Sequence, residues 1–188
     1  MHNEYNSMRR QQIQPYLFVF GLVLTMSACF NEPNYSSTPE IDFKGLFKYS
    51  LSAGTGVGKA KRDSVVVTIG FKDGDGNLGV DNPTEATTSS YSANGGWGNY
   101  EIKAFRLINK QYVEYKQPVL TTLFFPDLTK GKPKGAIEGT LDFNQTFPYG
   151  TVNYFYPTKF QIRIRDRAFN ASNIIETDTI TLPYLTPR

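Results

Sequence analysis

Four oxygen-bearing side chains fall close together between glycines: Asp73, Asp75, Asn77 and Asp81, spaced by Gly74, Gly76 and Gly79. Short oxygen side chains on a loop that glycine lets bend sharply can converge on one point, as a hard cation such as calcium requires. The set is not an EF-hand, which needs Gly at the sixth loop position and Glu at the twelfth. Counted from Asp73, those positions hold Leu78 and Thr84. The remaining arrangement is an edge loop of a β-sandwich in which Asp73, Asp75, Asn77 and Asp81 ligate calcium, with Asp166 as a fifth, distant ligand. The plain alternative is a pair of Asp-Gly turns whose carboxylates face water. Three carboxylates this close repel one another without a counter-ion, which argues for the ion.

A strand must deliver that loop. Val65, Val67, Ile69 and Phe71 alternate with Val66, Thr68 and Gly70, the period of a half-buried strand. Upstream, Ile41, Phe43, Phe47, Tyr49 and Leu51 share one parity and predict a first strand with one apolar face. Residues 100–108 and 111–116 flank the two-residue connection Asn109-Lys110 and read as a β-hairpin. Further strands are expected over 119–125, stopped by Pro126, and over 136–143. In the last pair, Phe160, Ile162 and Ile164 alternate with basic residues, and 173–182 returns as the final strand. A turn centred on Asn170-Ala171 sets Arg165 opposite Glu176 and Arg163 opposite Asp178, so the arginine stripe reads as a neutralised solvent face. Residues 84–99, rich in Gly, Ser and Thr, read as a loop. Within it Trp97 either folds over the core edge or stands exposed for binding. About seven or eight strands at regular spacing and no helix imply an all-β sandwich or barrel.

The chemistry available to this domain is narrow. Cys29 is the only cysteine and His2 the only histidine of the 188 residues, and both precede the strands. The domain therefore holds no internal disulfide, no Cys or His zinc site and no histidine-dependent triad. Glu138 and Asp142 lie four residues apart on one strand face, about 13 Å, too far for either glycosidase geometry. Glu176 and Asp178 each have an arginine partner in the expected register. The GTGVG run at 54–58 looks like a phosphate loop but no helix is expected after it. These features describe a non-enzyme.

The N-terminus reads as a bacterial lipoprotein signal peptide. Arg9 and Arg10 form a basic region, residues 16–26 an apolar run too short to span a bilayer, and Met26-Ser27-Ala28-Cys29 a lipobox with Met in place of the usual Leu. Met8 serves as well as Met1 for the start. The expected organisation is a signal peptide over 1–28, a lipidated Cys29 and flexible tether over 29–40, and a sandwich domain over 41–188. Loss of Arg9, Arg10 and Glu4 moves the formal net charge of +3 still closer to neutral, which argues against nucleic acid as a partner.

The segment IRIRDRAFNASNIIETDTITL, with Asp166, Ala168 and Asn170 in a D-x-A-x-N turn, resembles the last two strands of bacterial immunoglobulin-like domains. Paired with the strand and loop VVVTIGFKDGDGNLG, it is similar to a family of Bacteroidota outer-membrane lipoproteins, over roughly residues 41–182. Members commonly carry Asp where this chain has Asn77. The resemblance implies an immunoglobulin-like β-sandwich held in the outer membrane by a lipid anchor; calcium, the one cofactor to look for, rests on the spacing of the loop's oxygen side chains. The single acidic residue near the anchor, Glu32, leans the expectation to the cell surface over the periplasmic face.

Two functions follow as expectations. One is a non-catalytic accessory or structural subunit of an outer-membrane complex for barrel assembly, secretion or uptake, contacting a barrel protein or other lipoproteins. The other is a surface module of a nutrient-uptake system that binds glycans or other ligands. In either case the expected contacts are Trp97, Tyr91 and Tyr100, together with Lys130, Lys132 and Lys134 on a basic tip.

Overall fold

The computed structural model describes residues 33–56, 59–116, 122–130 and 134–187, and Asn34–Arg188 form one unit that carries every element below. Cys29 and the leader, like Lys132 and residues 119–121, lie outside the described residues. In chain order the elements are β1 (Glu40–Leu51), β2 (Arg62–Asp73), helix α1 (Glu85–Ala93), β3 (Tyr100–Ile108), β4 (Gln111–Tyr115), β5 (Ile137–Pro148), β6 (Tyr154–Ile164), β7 (Ile175–Glu176) and β8 (Ile180–Tyr184).

Two antiparallel sheets face each other across one core. The first runs β1-β2-β5 and the second β4-β3-β6-β7, with β8 also on β6. β2 shows why: Val65, Val67 and Ile69 are fully buried, and they meet Phe143 and Phe147 of β5 and Phe160, Ile162, Ile164 and Leu182 of the second sheet. Each such side chain contributes about 1.5–3 kcal/mol on leaving water. The hairpin β3–β4 turns at Asn109 and Lys110, both at positive φ (50° and 67°), as a two-residue turn that matches strand twist demands.

Four features depart from the expected pattern; in one, the described part of the strand expected over 119–125 is reduced to a single bridge between Leu123 and Tyr100. The first strand does not keep one parity, because an irregularity between Phe43 and Gly45 inserts Lys44 as an extra residue. Ile41 and Phe43 therefore face the core, while Phe47, Tyr49 and Leu51 lie on the outer face, 40–54% exposed.

The final strand is broken in two. Arg165 pairs with Ala171, Gln161 with Glu176 and Thr158 with Ile180, so the pairing gains one extra residue on the returning strand twice. The hydroxyl oxygens of Ser172 and Thr177 accept hydrogen bonds from Ile164 N and Phe160 N, each filling a place where a ladder carbonyl would stand. Neither expected Arg pair forms. Arg163 pairs with Glu101, and Glu176 with Lys159. Arg165 is buried, so the stripe is not a solvent face.

Residues 84–99 hold a helix where a loop was expected. Thr84 caps α1 by accepting from Thr87 N, and Glu85 sits in its first turn, where a negative charge favours the helix dipole. Tyr91 is its one buried residue. Among the described residues no helix is long and apolar enough to cross a membrane.

Candidate functional site

Asp73 closes β2 on its inward face with no exposed surface. Its Oδ2 accepts from Asn77 N at 3.0 Å; its Oδ1 is buried and has no hydrogen-bond partner. From the other sheet, Asp166 follows β6 and is also fully buried. Asn170 binds both its oxygens, N to Oδ1 at 2.7 Å and Nδ2 to Oδ2 at 2.8 Å, which is the physical content of the D-x-A-x-N turn. The turn spans residues 166–170 and closes at the Arg165–Ala171 bridge, not at Asn170-Ala171.

Asn77 joins these carboxylates. Its side-chain nitrogen donates to Asp75 Oδ2 at 2.9 Å and to Asp166 Oδ2 at 3.2 Å, while its own Oδ1 is buried without a partner. Four of the five expected oxygen ligands thus meet at one corner: Asp73, Asp75, Asn77 and Asp166. The fifth does not. Asp81 takes an ion pair from Lys130 at 3.2 Å and a hydrogen bond from Asp127 N, and belongs to a separate surface contact. Burial drives the Asp73 carboxyl pKa up to about 6, and the charges of Asp75 and Asp166 add to the rise.

The loop is held on all sides by backbone. Gly74 N donates to Ser36 O at 2.8 Å, Val80 N to Phe125 O, and Arg167 N to Asn77 O. Gly79 has φ of 91°, and a β-carbon there would collide with Pro126 O. Asn99, fully buried, mimics a strand partner by bonding both Phe125 N and Phe125 O at 2.8 Å.

Among the described residues no three His, Cys, Asp or Glu side chains already stand as a metal-binding group. Between Asp75 and Asp166 stands the Asn77 amide nitrogen, which donates to both.

The aromatic contacts expected from sequence need correction. Trp97 is 5% exposed and Tyr91 4%, so neither offers a stacking platform. Tyr91 packs edge-on against Phe124 and Phe169, and Tyr100 stacks on Phe143 with ring centres 4.5 Å apart. Tyr91 and Trp97 are buried against the Arg165 guanidinium, 4.7 Å and 4.2 Å from their ring centres, and Tyr100 is half-buried on the core. For Trp97 the structure shows the folded-back alternative of the two the sequence offered. Of the basic tip, Lys134 is exposed and Lys130 is tied to Asp81.

Two buried arginines went unforeseen. Arg165 donates to the carbonyl oxygens of Tyr91, Asn94, Trp97 and Gly98, closing the C-terminal end of α1. Burial lowers its pKa. Arg106 lies among the rings of Tyr115, Tyr156 and Tyr184, 4.5–5.0 Å from each centre, and donates to Thr186 O and Pro187 O. For Arg106 the signal was a basic residue in the parity of Tyr100, Ile102 and Ala104. Arg165 shares its parity with Lys159, Arg163 and Arg167, so no sequence pattern shows that helix α1 covers it.

No protein-family model, curated protein or solved structure matches this chain.

Proposed function

We propose that this protein is a lipid-anchored, non-catalytic accessory subunit of an outer-membrane assembly, docking through the outer face of its β1-β2-β5 sheet. One observation carries the reading: the inversion of β1. Past Lys44, the strand turns polar Lys48 and Ser50 toward the inner side, opposite buried Val65 and Asp63. Phe47, Tyr49 and Leu51 go outward, 48%, 54% and 40% exposed. Val66 and Ser64 flank them on β2. A single extra residue places an aromatic row in water, where aromatic anchors dominate binding energy.

The immunoglobulin-like assignment is supported by strand order. In such sandwiches the first, second and fifth strands share a sheet opposite the third, sixth and last, and here the fourth strand sits beside the third. The chain is docked from Tyr35 onward, with the Tyr35 hydroxyl donating to Glu138 and Ser36 O accepting from Gly74 N. A tether of about five residues, reaching at most about 17 Å, would hold the domain at high effective concentration beside membrane partners. Modest contact area then suffices for stable docking.

The test is purification from native membranes in mild detergent, comparing wild type with the double variant Phe47→Ser, Tyr49→Ser. Co-purification of an outer-membrane protein that is lost in the double variant supports the reading. A chain that runs alone at monomer mass and retains immobilised polysaccharide belongs instead to the glycan-binding class.

A further inference from the structure

Asp73, Asp75 and Asp166 are surrounded by basic sequence, yet among the described residues no ion pair reaches any of them. Arg165 is committed to backbone carbonyls, and Arg167 to Asp127 Oδ2 and Gly79 O at 3.0 Å each. Two of the three carboxylates are fully buried. Burying charge without a partner is costly, and one oxygen of Asp73 lacks even a hydrogen-bond donor.

The Asn77 side chain shows what is missing. Its amide nitrogen, carrying partial positive charge, stands where Asp75 and Asp166 both reach, and its oxygen is left stranded in a buried position. Turning the amide by half a revolution exchanges the two atoms, a choice that hydrogen bonding alone sets. The stranded oxygen then joins the carboxylates, so that oxygens from two chain segments, residues 73–77 and Asp166, face one space.

We propose that Asp73, Asp75, Asn77 and Asp166 form a calcium site in which the Asn77 amide holds the place of the ion and flips to ligate it. A divalent ion offsets two of the three negative charges and gives Asp73 Oδ1 and Asn77 Oδ1 the partner each lacks. Water completes the six to eight oxygens that calcium takes. Asp81 is not a ligand. The ion joins the end of β2 in one sheet to the end of β6 in the other, and Gly74 N, one residue from Asp73, holds Ser36 O of the N-terminal segment. Occupancy therefore fastens both sheets and the incoming chain at one corner.

The experiment is calorimetric titration of the detergent-solubilised full chain with calcium chloride after chelator treatment. One saturable equivalent is expected. Asp73→Asn weakens it about tenfold or more, because it removes one charge and one ligand oxygen. Asn77→Asp acts in the opposite direction: it supplies oxygen without a flip and a fourth charge, so calcium binds about tenfold tighter. The same variant melts lower than wild type in chelator and gains more from calcium. Asp81→Ala leaves the affinity unchanged. Absence of binding by folded wild-type protein overturns the site. So does binding that is indifferent to both Asp73→Asn and Asn77→Asp, which would put the ion elsewhere. Because Asn77→Asp gains affinity, its result cannot be mistaken for failed folding.

Discussion

The guanidinium of Arg165 lies 4.2 Å from the ring centre of Trp97 and donates a hydrogen bond to that residue's own carbonyl oxygen. One cation thus satisfies the backbone and covers the π-face of a single residue, while also binding the carbonyls of Tyr91, Asn94 and Gly98. The planar fork of arginine can serve several acceptors at once; a lysine ammonium with three donors on a flexible stem cannot reproduce it. Arg165→Lys should therefore cost about 3 kcal/mol by leaving buried carbonyls unpaired. Urea unfolding followed by Trp97 fluorescence measures both the loss and the opening of the corner.

Gly79→Ala tests the packing of the loop against residues 125–128. The backbone at Gly79 is left-handed, and an added β-carbon would meet Pro126 O. Strain and collision together should lower stability by about 2 kcal/mol or more, read as a fall in urea midpoint. Calcium should then bind more weakly as well, since Asn77 O is fixed by Arg167 N only two residues away.

In chelator, stability should depend on pH through Asp73. Its folded pKa of about 6 lies above its ordinary value of 3.8, so the folded state holds the proton more tightly. Its contribution is full below about pH 4 and is lost as pH rises through about 6, roughly 3 kcal/mol over that window. The groups whose charge raises it are Asp75 and Asp166. Asp73→Asn should flatten the curve between pH 4 and 6, as thermal melts in chelator at stepped pH will show.

The corner was legible in part because aspartates between glycines are a local pattern, and a strand of period two points at them. Asp81 was misassigned because spacing along a chain does not reveal that Lys130 and Asp127 N claim it first. The β3–β4 hairpin was legible because two residues must turn the chain. The final register was not, since it depends on Ser172 and Thr177 replacing ladder carbonyls, and a hydroxyl in a strand looks like any other polar residue. Helix α1 was hidden for a related reason: its sequence, EATTSSYSA, buries only Tyr91, so no apolar stripe announces it.

Phe47→Ser with Tyr49→Ser should leave folding stability within about 0.5 kcal/mol of wild type for each change, because surface substitutions away from packed features cost little. Unfolding midpoints check this. A large loss would mean that the row supports the fold and does not serve a partner.

Cys29→Ser should abolish incorporation of labelled fatty acid and move the protein from the membrane to the soluble fraction. Retention in the membrane fraction without label would assign the attachment to protein contacts.

The extra residue at Lys44 has one more effect. An edge strand of twelve residues is a template for another chain, and repetition of that pairing builds fibres. Here the bulge breaks the straight run of donors and acceptors, and Lys48 bends inward to reach Thr181 O and approach Asp63. A second copy laid along this border would have to pull the lysine out and straighten the kink. Crowded copies can thus share an aromatic face with a chosen neighbour while the β1 border stays closed to them.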